Sequence, residues 1–168
     1  MTDARILLSK VDRTLAYDPF IAKLYQILEE ASARGYDFWV TLLFRTYAAQ
    51  MRLYFQGRTL PGKIVTKARG GESGHCFGLA ADLTHDSDLD KPGLQPDWDS
   101  GNYEILGELC AKYGLAWGRS YGDMPHVQWP GYETALELAP LRRLVHDPSD
   151  FKLWLPYCWK YIEDQKAA

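Results

Sequence analysis

Two short segments, far apart in the chain, carry the residues that most constrain how it can fold. The first is Ser73-Gly-His-Cys-Phe-Gly-Leu-Ala-Ala-Asp82, and the second is Asp123-Met-Pro-His126. Two imidazoles and one carboxylate, from His75, Asp82 and His126, are a sufficient protein ligand set for a catalytic zinc ion, with the fourth tetrahedral position left open for water. If these side chains share one metal ion, the fold must bring both segments together.

The pattern of the first segment predicts a β-strand together with the stretch of chain that leads into it. Residues 79–84 alternate so that Asp82 and the small Ala80 share one face. We expect His75 to lie on an extended stretch before this strand, and Gly78 to permit a bend between them. The strand face of Asp82 then has room beside it for a metal ion.

The second segment supplies a candidate base. His126 and Gln128 would share one face of a later strand. Asp123, three residues before the histidine, is close enough to take a proton from water and to deliver it to a leaving amine. Arg45 follows a short apolar run, residues 38–44, and is placed to contact the substrate or a developing oxyanion. Together these residue types indicate metal-assisted hydrolysis.

Simpler interpretations of single residues remain open. Taken alone, His75 or His126 is more often a structural histidine than a ligand, and only their combination with the carboxylates favours a metal site. Cys76 is a possible fourth ligand, but we favour a small buried side chain, because neighbouring residues on extended chain face opposite sides. We do not expect His85 or His146 to be ligands.

Composition restricts the class of protein. A length of 168 residues fits one domain with a real core, and 46% hydrophobic with 24% charged residues is typical of a globular protein. The net charge of -3 gives no reason to expect a nucleic-acid partner. Three cysteines without paired spacing argue against a disulfide framework and favour a reducing compartment. We expect synthesis in the cytoplasm without a signal peptide, no membrane insertion, and a monomer.

The pattern along the chain predicts an α+β fold. We expect a small antiparallel sheet that carries the metal site, flanked by helices, with a core of about residues 15–131 and a helical C-terminal extension of about residues 132–168. The predicted elements are a helix with Asp18 as N-cap and Pro19 at its first position, ending at Gly35; a buried strand over 38–44; a helix capped by Thr46; a loop over 57–74; a strand over 79–84; a loop over 85–101; a helix over 103–113; and short strands at 115–117 and 126–129.

These motifs resemble a family of zinc peptidases. The family includes D-alanyl-D-alanine carboxypeptidases and dipeptidases and the L-alanyl-D-glutamate endopeptidases of phage endolysins. Residues 73–82 meet its pattern Ser-x-His-x-x-Gly-x-Ala-x-Asp in full, and Asp123 with His126 meets its second part. The resemblance covers roughly residues 36–130. It also takes in the segments 44–50, 53–58, 61–68 and 117–118.

The resemblance implies a role for each matched residue. The two histidines and Asp82 would bind one zinc ion per chain, Asp123 would be the general base, and Arg45 would contact the substrate or the transition state. Further predicted substrate contacts are Ser73, Gln50, Gln128 and Trp117.

The resemblance also implies a substrate, the stem peptide of peptidoglycan. The stretch 61–67 and an aspartate rather than a glutamate at position 123 look more like the endopeptidase branch, which cleaves the L-Ala–D-Glu bond. A phage- or prophage-derived enzyme that acts on the cell wall after release is the leading hypothesis. The alternatives are a D-alanyl-D-alanine carboxypeptidase or dipeptidase, and a non-catalytic wall-binding module with structural zinc. The tail is either a helical addition packed on the core or a small partner-binding element.

Overall fold

A five-stranded antiparallel sheet organises the structure, a computed structural model that describes residue 8 and residues 10–167. The strands are β1 (Phe38–Leu42), β2 (Ala80–Asp86), β3 (Pro96–Asp97), β4 (Ala116–Trp117) and β5 (His126–Gln128). Their order is β1-β2-β5-β4, and β3 pairs with the far end of β2. Between residues 10 and 167 the α-helices are α1 (Asp18–Ala33), α2 (Tyr47–Phe55), α3 (Ser100–Tyr113), α4 (Ala139–Arg142) and α5 (Phe151–Ala167). The α+β prediction with a small antiparallel sheet is confirmed.

The register of β2 brings the two informative segments together. Asp82 lies opposite His126 on β5, and Ala80 lies opposite Gln128. On the other side of β2, a register shift in β1 places Leu42 opposite Asp82. Residues directly opposite each other in an antiparallel pair have Cβ atoms about 4.5–5.5 Å apart. Strand pairing alone therefore places one predicted ligand beside another.

Helix α1 packs against α3 and strand β1, but its cap differs from the prediction. The N-cap is Tyr17, which makes no side-chain capping bond, and Asp18 is the first helical residue. The backbone N–H of Tyr17 donates to Gly78 O at 3.0 Å, and this bond holds the extended backbone that starts the helix. The helix ends before Gly35, which has φ +88°. Its buried side chains are Phe20, Ile21, Leu24, Ile27, Leu28, Ala31 and Ser32.

Other elements also have boundaries that differ from the predicted ones. Thr46 caps α2 as predicted, with its Oγ1 accepting from the N–H of Ala49 at 3.1 Å. Helix α3 begins at Ser100, earlier than predicted, because the Asp99 carboxylate accepts from the N–H of Gly101 and forms a cap. Strand β3 lies inside the predicted loop 85–101, where it pairs with the end of β2.

The C-terminal extension packs on the core. It is less helical than predicted, since residues 132–138 form turns before α4. Its buried side chains belong to the same hydrophobic cluster as those of α1 and the sheet; they are Leu138, Leu141, Trp154, Leu155, Cys158 and Ile162. In addition, Trp159 Nε1 donates to Phe77 O at 2.8 Å. Of the two roles considered for the tail, the structure shows packing on the core.

Some predictions concern residues beyond this description. The expectation of no signal peptide rests on residues 1–12, of which residues 1–7 and 9 lie outside the described residues. Among the described helices, none has both the length and the apolar character needed to cross a membrane. All three cysteines are buried free thiols.

Candidate metal centre and active site

Three predicted ligands converge on one point. The candidate ligand atoms of His75, Asp82 and His126 all lie within 4.8 Å of one another, and the described part of the chain holds no second cluster of this kind. His75 Nε2 lies 3.1 Å from Asp82 Oδ1, and His126 Nδ1 lies 3.1 Å from the same oxygen. His85 and His146 are outside the cluster.

His75 reaches this point from a 3₁₀ helix, Gly74–Phe77, and not from extended chain as predicted. The helix ends at Gly78, which has φ +65° and whose Cβ, if present, would lie 2.2 Å from Leu15 O. Only glycine fits this close approach. The helix is fixed on its other side by the N–H of Arg45, which donates to His75 O at 3.0 Å.

Cys76 follows the candidate ligand His75 in the chain but does not belong to the cluster. Its side chain is fully buried in the hydrophobic cluster, and burial raises the pKa of its thiol to about 11. The prediction of a small buried side chain is confirmed. The reason given for it was wrong, because the residue lies in a 3₁₀ helix and not on extended chain.

Hydrogen bonds fix which ring nitrogen of each histidine carries its proton. His75 Nδ1 lies 3.1 Å from Leu43 O, and a carbonyl only accepts, so Nδ1 is the donor. Gln128 Nε2 donates to Tyr132 O, which leaves Gln128 Oε1 as the acceptor 2.8 Å from His126 Nε2. In the neutral rings, His75 Nε2 and His126 Nδ1 therefore each carry a free lone pair, on the side of the ring away from these partners.

Both lone pairs face Asp82 Oδ1, which is itself an acceptor. Burial alone would raise the pKa of Asp82, but the contacts from His126 and His75 outweigh it and hold the pKa far below the usual range. Burial lowers the pKa of His126, but the contacts with Asp82 and Gln128 and the charge of Asp123 together raise it above its usual value. Either an added ring proton or a shared cation must therefore occupy this space.

The geometry fits a metal ion. Ligand atoms about 2.0–2.1 Å from a tetrahedral zinc ion lie about 3.3 Å from each other, close to the 3.1 Å that separates Asp82 Oδ1 from each histidine nitrogen. Two neutral imidazoles oriented by hydrogen bonds, together with one carboxylate, form a donor set suited to zinc. Leu43 O and Gln128 Oε1 supply the orienting bonds.

Asp123 and Arg45 flank this cluster. Asp123 Oδ2 lies 4.0 Å from His126 Nδ1, and its side chain is half-exposed. Burial raises the pKa of Asp123, and the negative charge of Asp82 adds to this shift. A carboxylate with a raised pKa is better matched to accepting and returning a proton near neutral pH. Arg45 Nη2 lies 3.8 Å from Asp82 Oδ2, and its Nη1 donates to Gln50 Oε1 at 2.8 Å.

These groups line an open cleft of about 910 Å³. This volume is at the upper end of the range of about 300–1,000 Å³ for small-molecule sites. Three of the four predicted substrate contacts line it, namely Ser73, Gln50 and Gln128. Gln50 and Gln128 are almost fully buried, and their amide groups already bond to Arg45 and His126. Their geometry suits positioning of those neighbours better than direct contact with a substrate.

Trp117 does not line the cleft, so its predicted substrate contact has no structural support. Its indole packs against α3 at Gly107, and its Nε1 donates to Met124 O at 2.7 Å. A Cβ on Gly118, the next residue, would lie 2.3 Å from Asp123 O. The Trp117-Gly118 pair thus holds the turn that carries Asp123 in place.

The sequence pattern did not indicate that Tyr121 is a cleft residue. Its side chain is half-exposed, lines the cleft, and has its ring centroid 5.9 Å from that of His126. Burial of its hydroxyl, together with the nearby charge of Asp123, raises the pKa of Tyr121 above its usual value. An aromatic residue in a glycine-flanked turn carries no distinctive signal, so spacing alone does not identify it.

Comparison with known proteins shows the family of the chain. The family VanY, described as D-alanyl-D-alanine carboxypeptidase, matches residues 16–129. The peptidoglycan L-alanyl-D-glutamate endopeptidase CwlK of Bacillus subtilis (strain 168) is 36% identical over 124 residues, which cover 66% of this chain and 71% of that protein. Both ligand-bearing segments lie inside the family match. The chain therefore belongs to the VanY D-alanyl-D-alanine carboxypeptidase family.

Proposed function

We propose that this protein is a zinc-dependent peptidoglycan peptidase that hydrolyses the L-Ala–D-Glu bond of the stem peptide. The observation that carries the proposal is the convergence of two imidazole lone pairs on the carboxylate of Asp82, beside Asp123 and inside an open cleft. An arrangement with three ligands and a free carboxylate is typical of a catalytic zinc site, whereas structural sites use a fourth protein ligand.

We propose that His75 Nε2, Asp82 and His126 Nδ1 hold one zinc ion. When bound, this ion would polarise the scissile carbonyl and lower the pKa of water towards about 7. The hydrogen bonds to Leu43 O and Gln128 Oε1 keep both rings in the tautomer that leaves these nitrogens free.

Asp123 and Arg45 perform the remaining steps in this proposal. Asp123 accepts the proton of the attacking water and donates it to the leaving amine, a role that its half-exposed position and raised pKa support. Arg45 stabilises the negative charge that develops on the carbonyl oxygen. Gln50 holds the Arg45 guanidinium at the cleft through its 2.8 Å bond.

The choice of bond is supported by the endopeptidase named among the relatives, at 36% identity. The description of the matched family favours a second candidate, a D-alanyl-D-alanine carboxypeptidase or dipeptidase that uses the same metal site. A non-catalytic wall-binding module is a third candidate, and the position of Asp123 argues against it. We further propose action on the cell wall after release, as a monomer in endolysin-type lysis.

Digestion of purified peptidoglycan distinguishes these candidates. We expect new amino termini on D-Glu, detected by mass spectrometry of the released muropeptides, and no free D-Ala. Released D-Ala without new D-Glu termini would establish the carboxypeptidase instead. The absence of any new terminus, with zinc bound, would favour the binding module.

A further inference from the structure

One wall of the cleft is formed by a cationic segment, residues 56–69, here called the wall loop. It contains four basic side chains and no acidic one, although the whole chain has a net charge of -3. The basic residues are Arg58, Lys63, Lys67 and Arg69. A local concentration of positive charge at a cleft attracts anionic groups of a substrate.

The wall loop is held in a fixed position. Gln56 Nε2 donates to Lys63 O at 3.1 Å, and Arg58 Nη1 donates to Thr66 O at 3.1 Å. From α2, Gln50 Nε2 donates to Ala68 O at 2.9 Å. The backbone of this loop therefore has a defined position relative to the candidate metal ligands.

Two of the four cations are already engaged with Tyr54. The Arg58 guanidinium lies 4.1 Å from the centroid of the tyrosine ring, and that of Arg69 lies 5.2 Å from it. Within residues 10–167, by contrast, the side-chain ammonium groups of Lys63 and Lys67 have no hydrogen bond, ion pair or ring contact. Lys67 lines the cleft and Lys63 does not.

The surroundings of Lys67 combine charge with apolar surface. Ile64 and Val65 also line the cleft, and each is 57% exposed. Glu72, an acidic residue of the same cleft, does not neutralise Lys67, because its carboxylate accepts from Arg142 at 3.1 Å and from the N–H of Arg69 at 2.9 Å. An unpaired ammonium beside exposed aliphatic side chains complements a ligand with a carboxylate next to methyl or methylene groups.

We propose that Lys67, with Ile64 and Val65, forms a subsite that binds a free carboxylate of the stem peptide. This inference rests on the proposed function and names the part of the substrate that the wall loop recognises. Two groups share the required chemistry: the α-carboxylate of D-Glu, next to the bond proposed to be cut, and the terminal carboxylate of D-Ala.

The test compares three forms of one soluble peptide, L-Ala-γ-D-Glu-L-Lys-D-Ala. One form has both carboxylates free, one is amidated at D-Glu, and one is amidated at the terminal D-Ala. Wild type, Lys67→Met and the matched control Lys63→Met are assayed on each. We expect Lys67→Met to lower kcat/KM about tenfold on the free peptide, mainly through KM, as for the loss of one charge-assisted bond.

Amidation identifies the source of the carboxylate. Amidating the recognised group should lower kcat/KM of wild type and of Lys63→Met about tenfold and leave that of Lys67→Met unchanged. The wild-type KM should also rise more with ionic strength than that of Lys67→Met. The proposal would be overturned if Lys67→Met and Lys63→Met had the same kcat/KM on all three peptides. It would also be overturned if amidation lowered kcat/KM by the same factor in wild type and in Lys67→Met.

Direct binding separates this inference from the proposed function. If wild type cleaves none of the peptides, the proposed bond specificity fails, but calorimetric titration still measures their affinity. The subsite is supported if the Kd of the free peptide is tenfold higher for Lys67→Met than for wild type. Amidation of the recognised carboxylate should remove this difference between the two proteins. The same Kd for wild type and Lys67→Met contradicts it.

Discussion

Replacing Asp123 with asparagine is expected to lower kcat by a factor of about 10²–10⁴, the usual contribution of general acid–base catalysis. The amide keeps the shape of the carboxylate but cannot accept the proton of the attacking water. The fold should not change, because the residue is tied to its neighbours through the backbone: its N–H donates to Gly118 O at 2.9 Å and its carbonyl accepts from the N–H of His126 at 3.2 Å. Zinc content should stay at that of wild type.

Glu133→Gln provides the matched control, since it removes another carboxylate from the same cleft. We expect this variant to keep a kcat within a few-fold of wild type. Steady-state hydrolysis of the soluble stem peptide, circular dichroism and metal analysis should be measured on both variants. An Asp123→Asn variant with wild-type kcat would remove Asp123 as the base. Loss of zinc from that variant would show instead that its carboxylate is a ligand.

Truncation after residue 131 is expected to prevent folding. It removes six side chains from the hydrophobic cluster, which are Leu138, Leu141, Trp154, Leu155, Cys158 and Ile162. Removing one large buried side chain typically costs about 2–5 kcal/mol, whereas the whole stability of a domain is about 5–15 kcal/mol. The truncation also removes the bond from Trp159 Nε1 to Phe77 O, which supports the 3₁₀ helix that carries His75. We therefore propose that core and extension fold as one domain.

Truncation after Asp164 is the control, because Ile162 is the last buried side chain of α5. This shorter deletion should keep a cooperative thermal transition, measured by circular dichroism, and the truncation after residue 131 should show none. A milder variant, Trp154→Ala, loses ring contacts with Tyr47 and Phe77 and should lower the free energy of unfolding by about 3–5 kcal/mol. A folded, zinc-binding fragment of residues 1–131 would show that the extension is dispensable.

The candidate metal-ligand cluster could be predicted from the sequence because strand periodicity determines which side chains share a face. Alternation placed Asp82 and His126 on faces that could meet, and the β2–β5 register brought them opposite each other. Alternation says nothing about residues outside strands. For that reason the 3₁₀ helix of His75 and the cleft position of Tyr121 were not predicted. The 3₁₀ helix depends on a contact distant in sequence, the bond from the N–H of Arg45 to His75 O.

Some helix and loop boundaries were predicted wrongly for a related physical reason. A tertiary bond between Tyr17 N–H and Gly78 O outweighs the local preference of Asp18 for the N-cap position. Similarly, composition marks residues 57–74 as a long loop, but the bond from Gln50 to Ala68 that shapes it as a cleft wall comes from another element. Trp117 was assigned to the substrate because motif matching cannot tell a cleft residue from one that supports the cleft.

Metal content tests the central claim most directly. We predict about one zinc ion per chain, by inductively coupled plasma mass spectrometry, in protein never exposed to a chelator. Asp82→Asn and His126→Ala should each lose the ion. His85→Gln should retain it, because His85 lies on the same strand as Asp82 but pairs with Asp97 at 3.2 Å. Wild-type protein without metal, or equal zinc in Asp82→Asn and wild type, would contradict the account.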